Sequence, residues 1–276
     1  MKERAFNTAF FFIFLLLSVL FIFPVFIVLL NSFKLKFSIA TAPFVLPNSE
    51  TFSGLENYIT GINSTGFLSA IGWSLFITVF SVAVLIIFTS MTAWYIVRVK
   101  TAGTKILYLS LVFSMIVPFQ MVMFTMSKIA NTLHLDNPLG IVFIYLGFGA
   151  GLSVFMFSGF IKTVPKTIEE AATIDGCNTL EVFWLVVFPI LKPTAITVAI
   201  LNTMWIWNDY LLPYLVIGKD YKTIPIAVQY LKGGYGAVDM GAMMAMLVLS
   251  IIPVVVFYSL CQKYIIKGVA SGAVKG

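Results

Sequence analysis

Six stretches of the chain, 10–30, 70–97, 106–127, 139–161, 194–217 and 241–262, are apolar over the roughly 20 residues that a helix needs to cross a bilayer. In lipid an unpaired backbone N–H or C=O finds no water, so each stretch must close its hydrogen bonds internally as a helix. The expected fold class is an all-α polytopic membrane protein, a single transmembrane domain over 1–276. Six transmembrane helices and a polar loop at 162–193 make up that domain. Composition agrees: 60% of the residues are hydrophobic and 10% charged, a balance that in water would expose large apolar patches.

Charge then reads as topology. The net charge is +6, and of the seventeen Lys and Arg six (Lys34, Lys36, Lys128, Lys219, Lys222 and Lys232) fall on one side of the spans. The other eleven fall on the side of both termini, so the positive-inside bias places both termini in the cytoplasm. The basic balance is thus no nucleic-acid footprint. The run 10–30 exceeds a signal-peptide core, and Lys34 and Lys36 separate it from Ala40-Thr-Ala42, so it is expected to be retained as the first span. Two cysteines, Cys177 and Cys261, and the single His134 compose neither a disulfide scaffold nor a metal site. No G-x-x-x-x-G-K-[ST] phosphate cradle, G-x-S-x-G elbow or H-E-x-x-H pair occurs. The chain is expected to be no enzyme and to carry no cofactor.

Within the second span Ser74, Thr78, Ser81, Thr89 and Thr92 recur at helical spacing, with Leu85 in the gap, and form a weakly polar face that should meet protein. Pro118 and Pro253 are expected to kink their helices, while Gly147, Gly149 and Gly151 permit close backbone approach. Met240, Met243, Met244 and Met246 read as flexible apolar filler.

The loop 162–193 is the most informative stretch. Pro165 suits a first helical position, Glu169 and Glu170 lie near the positive end of that helix, and Gly176 suits a left-handed stop. Asn178 with Glu181 has the form of a capping pair, and the apolar run from Val182 to Phe188 extends to Pro189. A short helix, a turn and a second helix on the cytoplasmic face are expected.

Glu170-Ala171-Ala172, then Gly176, then Val186-x-Phe188-Pro189 closely resembles the signature loop of ABC importer permeases, with Val186 and Phe188 replacing that pattern's Ile and Leu. The longer form from Pro165 to Gly176 is similar to that of the carbohydrate uptake group related to the maltose permease, where Cys177 takes the place of a small residue. Trp207-Asn-Asp-Tyr-Leu-Leu-Pro213, Pro118-Phe-Gln120, residues 262–267 and the tail 270–276 resemble the second permease subunit of such importers.

That resemblance implies a coupling helix seated on a separate ATPase. Glu169 and Glu170 would pair with basic groups there, Ala171 and Ala172 allow close approach, Gly176 fixes the angle between the helices, and Asp175 and Pro189 belong to the same coupling set. It also implies several partners: a second homologous permease, two nucleotide-binding ATPase subunits that hold ATP and Mg, and an extracytoplasmic solute-binding protein. The expected location is a bacterial-type plasma membrane, with a sugar or oligosaccharide as substrate.

Trp205, Trp207, Asn208, Asp209 and Tyr210 are candidates for the substrate path, since aromatic faces and polar acceptors suit a sugar. Asn208 and Asp209 serve equally as ties between helices. Tyr230, Gly233, Gly234 and Tyr235 are candidates for contact with the binding protein. A permease for a polyol or phosphorylated solute is the alternative. A secondary transporter should show intramembrane charge relays or inverted repeats, and neither is seen beyond the lone Asp209.

Overall fold

The computed structural model describes the backbone of residues 2–231 and 239–273 and the side chains of residues 8, 10–231 and 239–264. The regular elements are α1 (Lys2–Asn31), α2 (Lys36–Thr41), α3 (Glu56–Thr65), α4 (Phe67–Arg98), α5 (Ala102–Ser114), α6 (Phe119–Thr132) and α7 (Pro138–Ile161). Then follow α8 (Lys166–Ile174), α9 (Thr179–Glu181), a π-helical turn (Val182–Val187), α10 (Phe188–Asn208), α11 (Leu211–Val216), α12 (Ile224–Tyr230) and α13 (Met240–Ala273). Among the described residues five runs are long and apolar enough to cross a membrane: Phe10–Asn31, Phe67–Arg98, Pro138–Ile161, Thr179–Asn208 and Met240–Tyr264.

The expected third span, 106–127, is not one kinked helix. It is the pair α5 and α6, bent by 108° between them. Pro118 supplies no N–H and biases the preceding residue away from helical geometry, and here it takes an extended ψ of 136° as the cap of α6. Pro253 and Pro24, by contrast, sit inside α13 and α1.

The expected fifth span, 194–217, also differs. Its helix begins before the apolar run and ends at Asn208, because Asp209 turns extended (ψ 122°) and α11 restarts at Leu211. Pro189, read as the end of the loop's second helix, is instead the second residue of α10. Just before it Phe188 N–H donates to Phe183 O, five residues back, and this wider π turn relaxes the crowding that proline imposes on the preceding turn.

Packing divides the chain into two compact units, Met1–Ser69 with Ile226–Val255 and Ala70–Pro225 with Val256–Gly276. In the first, Lys34 is buried, and its Nζ donates to Ala42 O at 2.9 Å. Asn57 on α3 donates to the carbonyls of Ser32 and Lys34, fastening α3 to the end of α1. A Cβ at Gly61 would stand 2.7 Å from Met246 Cε, so α3 and α13 meet closely there.

In the second unit the polar face of α4 does meet protein. Ser74, Thr78, Ser81 and Thr89 are buried, and Ser74 Oγ accepts Ile224 N–H at 2.8 Å. Thr92, partly exposed, bonds back to Phe88 O. Between helices in lipid, packing and hydrogen bonds carry association. Asn202 on α10 accordingly donates to Ser153 Oγ on α7, and Gly149 admits Leu85 and Asn202 against α7.

Gly151 and Gly147 differ in what they face. A Cβ at Gly151 would meet Leu111 O and stand 2.7 Å from Met115 Cγ, whereas a Cβ at Gly147 would meet nothing within 4 Å among the described residues. Gly151→Ala should therefore destabilise by roughly 1–3 kcal/mol, as overpacked sites do. Gly147→Ala should be neutral or stabilise by up to about 1 kcal/mol. Thermal melts of the two variants in detergent check the opposite signs.

Candidate functional site

The loop between α7 and α10 folds as a helical hairpin. Pro165 is the cap of α8, not its first residue: φ −60° and ψ 133° leave Lys166 as the first helical position. Asp175 ends α8, and Gly176 follows at φ +95°, a conformation side-chain-bearing residues rarely adopt. The Asn178–Glu181 capping box then starts the second helix. Asn178 Oδ1 accepts the N–H groups of Leu180 and Glu181, and Glu181 Oε2 accepts Asn178 N–H at 2.7 Å.

Two faces of α8 do different things. Ala172 joins an apolar cluster with Val182, Phe183, Val187 and Leu191 of the loop and with Ala93, Ile96, Val154, Phe157 and Ile161 from the ends of α4 and α7. Its neighbours Ile168, Glu170, Ala171 and Ile174 face outward, and Ile174 is 85% exposed. Among the described residues Glu170 pairs only along its own helix, with Lys166 Nζ at 3.3 Å.

Glu169 is turned inward and nearly buried. Arg98 Nη2 and Nε reach its Oε1 at 2.6 and 2.9 Å, and Trp94 Nε1 donates to Oε2 at 3.0 Å. Arg98 also donates to Val164 O, closing the hairpin onto the end of α4. Its carboxylate is thus committed within the chain, and of the two glutamates only Glu170 presents its carboxylate outward. Trp94 and Arg98 were missed in the sequence as site residues. Their signal was faint: an indole N–H and a guanidinium four residues apart share one helix face, but their partner lies more than seventy residues on.

The second candidate group surrounds the break at Asp209. Its Oδ1 accepts Leu211 and Leu212 N–H, and its Oδ2 accepts the phenol of fully buried Tyr145 on α7 at 3.1 Å. Asp209 therefore both restarts the helix and ties α10 to α7, the structural role weighed for it against a substrate path. Trp205 packs edge-on against Tyr145, Tyr210 stacks on Tyr214, Trp207 is buried, and exposed Asn208 bonds back to Met204 O. These five residues face different surroundings. Tyr230 ends α12 and is half exposed, while Gly233, Gly234 and Tyr235 lie outside the described residues.

Residues 86–271, well over half the chain and including the whole hairpin, match the family described as binding-protein-dependent transport system inner membrane component. The chain belongs to that family. Among its relatives is a probable starch degradation products transport system permease protein of Thermoanaerobacterium thermosulfurigenes. It is 41% identical over 262 residues, with 95% of this chain and 94% of the relative covered. A multiple sugar-binding transport system permease protein of Streptococcus mutans is 34% identical, covering 94% and 93%. The fold is similar to that in the crystal structure of a bacterial ABC transporter involved in the import of the acidic polysaccharide alginate. That match has a TM-score of 0.73 at 23% identity and covers 96% of this chain and 98% of that one. The family is one of transport permeases, and the chain is accordingly a multi-pass membrane protein.

The pair linking hairpin and α4 sets a test. Arg98 and Glu169 side chains are 17% and 9% exposed, so removing either partner leaves the other poorly solvated. Arg98→Ala and Glu169→Ala should each lower the melting temperature. The double variant should fall short of the summed loss by roughly 0.5–3 kcal/mol, the range for groups in contact. A double-mutant cycle measured by thermal unfolding checks this.

Proposed function

We propose that the chain is the permease subunit of an ATP-driven importer of sugars or oligosaccharides, and that the hairpin 166–188 couples ATP hydrolysis by partner subunits to movement of the spans. The observation that carries this reading is the division of labour on α8. Its inner face is fixed to α4 and α7, while its outer face offers apolar, unpacked side chains at Ile168, Ala171 and Ile174 beside Glu170. An exposed isoleucine on a short, well-anchored helix fits a site that another protein covers.

The loop then sits in the cytoplasm with both termini, as the distribution of Lys and Arg favours. Two nucleotide-binding subunits supply ATP and Mg, a second homologous permease completes the pore, and an extracytoplasmic solute-binding protein delivers the substrate. Ala171, Ala172, Asp175, Gly176 and Pro189 shape the seat and Glu170 is the charge offered to the ATPase. Trp205, Trp207, Asn208 and Tyr210 remain candidates for contact with the substrate and Tyr230 for contact with the binding protein. The starch-product and multiple-sugar permeases among the relatives support a carbohydrate substrate.

Two variants test the coupling role. Ile174→Asp changes a side chain that touches little, so thermal stability should hold within about 0.5 kcal/mol, as for most surface changes. ATPase subunits should nevertheless fail to co-purify; undiminished co-purification would sink the docking role. Gly176→Val forces a β-branched residue into a positive φ at a cost of roughly 1–3 kcal/mol and should re-aim the two helices. Reconstituted with its partners, that variant is expected to insert normally and hydrolyse ATP, while uptake of labelled maltodextrins falls at least tenfold. Uptake of a panel of labelled solutes by the unaltered complex tests the substrate class.

A further inference from the structure

A cavity of about 600 Å³ opens where α4 ends, α5 begins and α7 ends, beside the hairpin and within the second unit. Its wall carries Arg98, Lys100, Lys105 and Lys162, and no Asp or Glu. Arg98 is held by Glu169, but the three lysines form no ion pair among the described residues. Lys162 Nζ instead stands 5.6 Å from the centroid of the Tyr108 ring, also part of the wall. Three exposed ammonium groups in one cavity wall without a paired carboxylate repel one another, and an anion placed in the cavity relieves that repulsion.

Two further features point to an anion. Helix α5, 13 residues long, starts at the cavity, so the positive end of its dipole adds to the same field. Ser158 stands in the wall fully buried, and its hydroxyl has no hydrogen-bond partner among the described residues. A buried hydroxyl without a partner costs free energy that a ligand's oxygen recovers.

The rest of the wall decides which anion. Ile96, Val97 and the Tyr108 ring make part of it apolar, and the cavity lies at the level where three helices leave the apolar zone. A free inorganic ion gains nothing from such a wall, whereas a glycerophospholipid has an apolar stem just behind its phosphate. We propose that this cavity binds the phosphate headgroup of an anionic phospholipid from the leaflet on the hairpin side. That this leaflet is the cytoplasmic one rests on the orientation proposed above; the pocket itself does not. Basic pockets between helices on that side of a membrane suit such lipids. Because Arg98 both lines the cavity and holds Glu169, the lipid would sit in contact with the attachment of the coupling hairpin.

The test uses the complex with its partner subunits, purified in a neutral detergent. Native mass spectrometry and thermal melts are recorded after adding phosphatidylglycerol, phosphatidylcholine, glycerol 1-phosphate or inorganic phosphate. One retained phosphatidylglycerol per chain and a melting temperature raised by several degrees are expected, with phosphatidylcholine retained at least tenfold less. The triple variant Lys100→Gln, Lys105→Gln, Lys162→Gln should lose that preference, and the matching Lys→Arg triple variant should keep it, which separates lost charge from lost fold. A shift produced equally by the soluble phosphates and abolished by the Gln variant would support the phosphate site and reassign its source to solution. Equal retention of both lipids, or phosphatidylglycerol binding unchanged in the Gln variant, overturns the proposal. Retention in detergent is blind to sidedness, so a failure here leaves the proposed orientation standing. Labelling of Lys105→Cys by an impermeant reagent in sealed vesicles tests that orientation alone.

Discussion

The ion pair between Arg98 and Glu169, with Trp94 on the second carboxylate oxygen, joins an outward-facing hairpin to the membrane helices. Without it α8 would hold to α4 and α7 chiefly through Ala172, a single methyl group in an apolar cluster. Three charge-assisted or indole hydrogen bonds converge on one carboxylate, a directional arrangement that fixes angle as well as distance. The apolar side chains of the second helix fill the space beneath, and the Asn178 capping box and Gly176 set the angle between the two helices. An outer face is thereby left free while the inner one is immobilised.

A comparable economy operates at Asp209. One carboxylate caps α11 and receives Tyr145 from α7, so a broken helix is also a cross-link between helices. The break before α6 and the break at Asp209 both place non-helical backbone at or near membrane depth. Such backbone is tolerated where protein or water meets its polar groups, and Asp209 meets two of them itself.

Much of this was legible in the sequence, for identifiable reasons. Long apolar runs declare helices because lipid permits nothing else, and the polar face of α4 declared burial because Ser74, Thr78, Ser81 and Thr89 share a helical period. Gly176 and the Asn178–Glu181 pair were legible because caps are local chemistry. Pro189 misled, since a proline reads as a stop unless a π turn precedes it, and that turn depends on packing around Phe183. Asp209 was noticed as an intramembrane charge, yet the phenol that it receives belongs to Tyr145, sixty-four residues away. Arg98 read as one more topological charge because its partner arrives only after two further spans, the broken pair α5–α6 and then α7, have been crossed.

The π turn before Pro189 has a mechanical corollary. It keeps Thr179 to Asn208 a single uninterrupted rod, roughly 45 Å long at 1.5 Å per residue. A beam of that length moves its far tip by about 0.8 Å for each degree through which its near end pivots, on the same 1.5 Å rise. A few degrees of tilt imposed below the bilayer would therefore arrive at Asn208, where the rod stops, as a displacement comparable to the diameter of a water molecule.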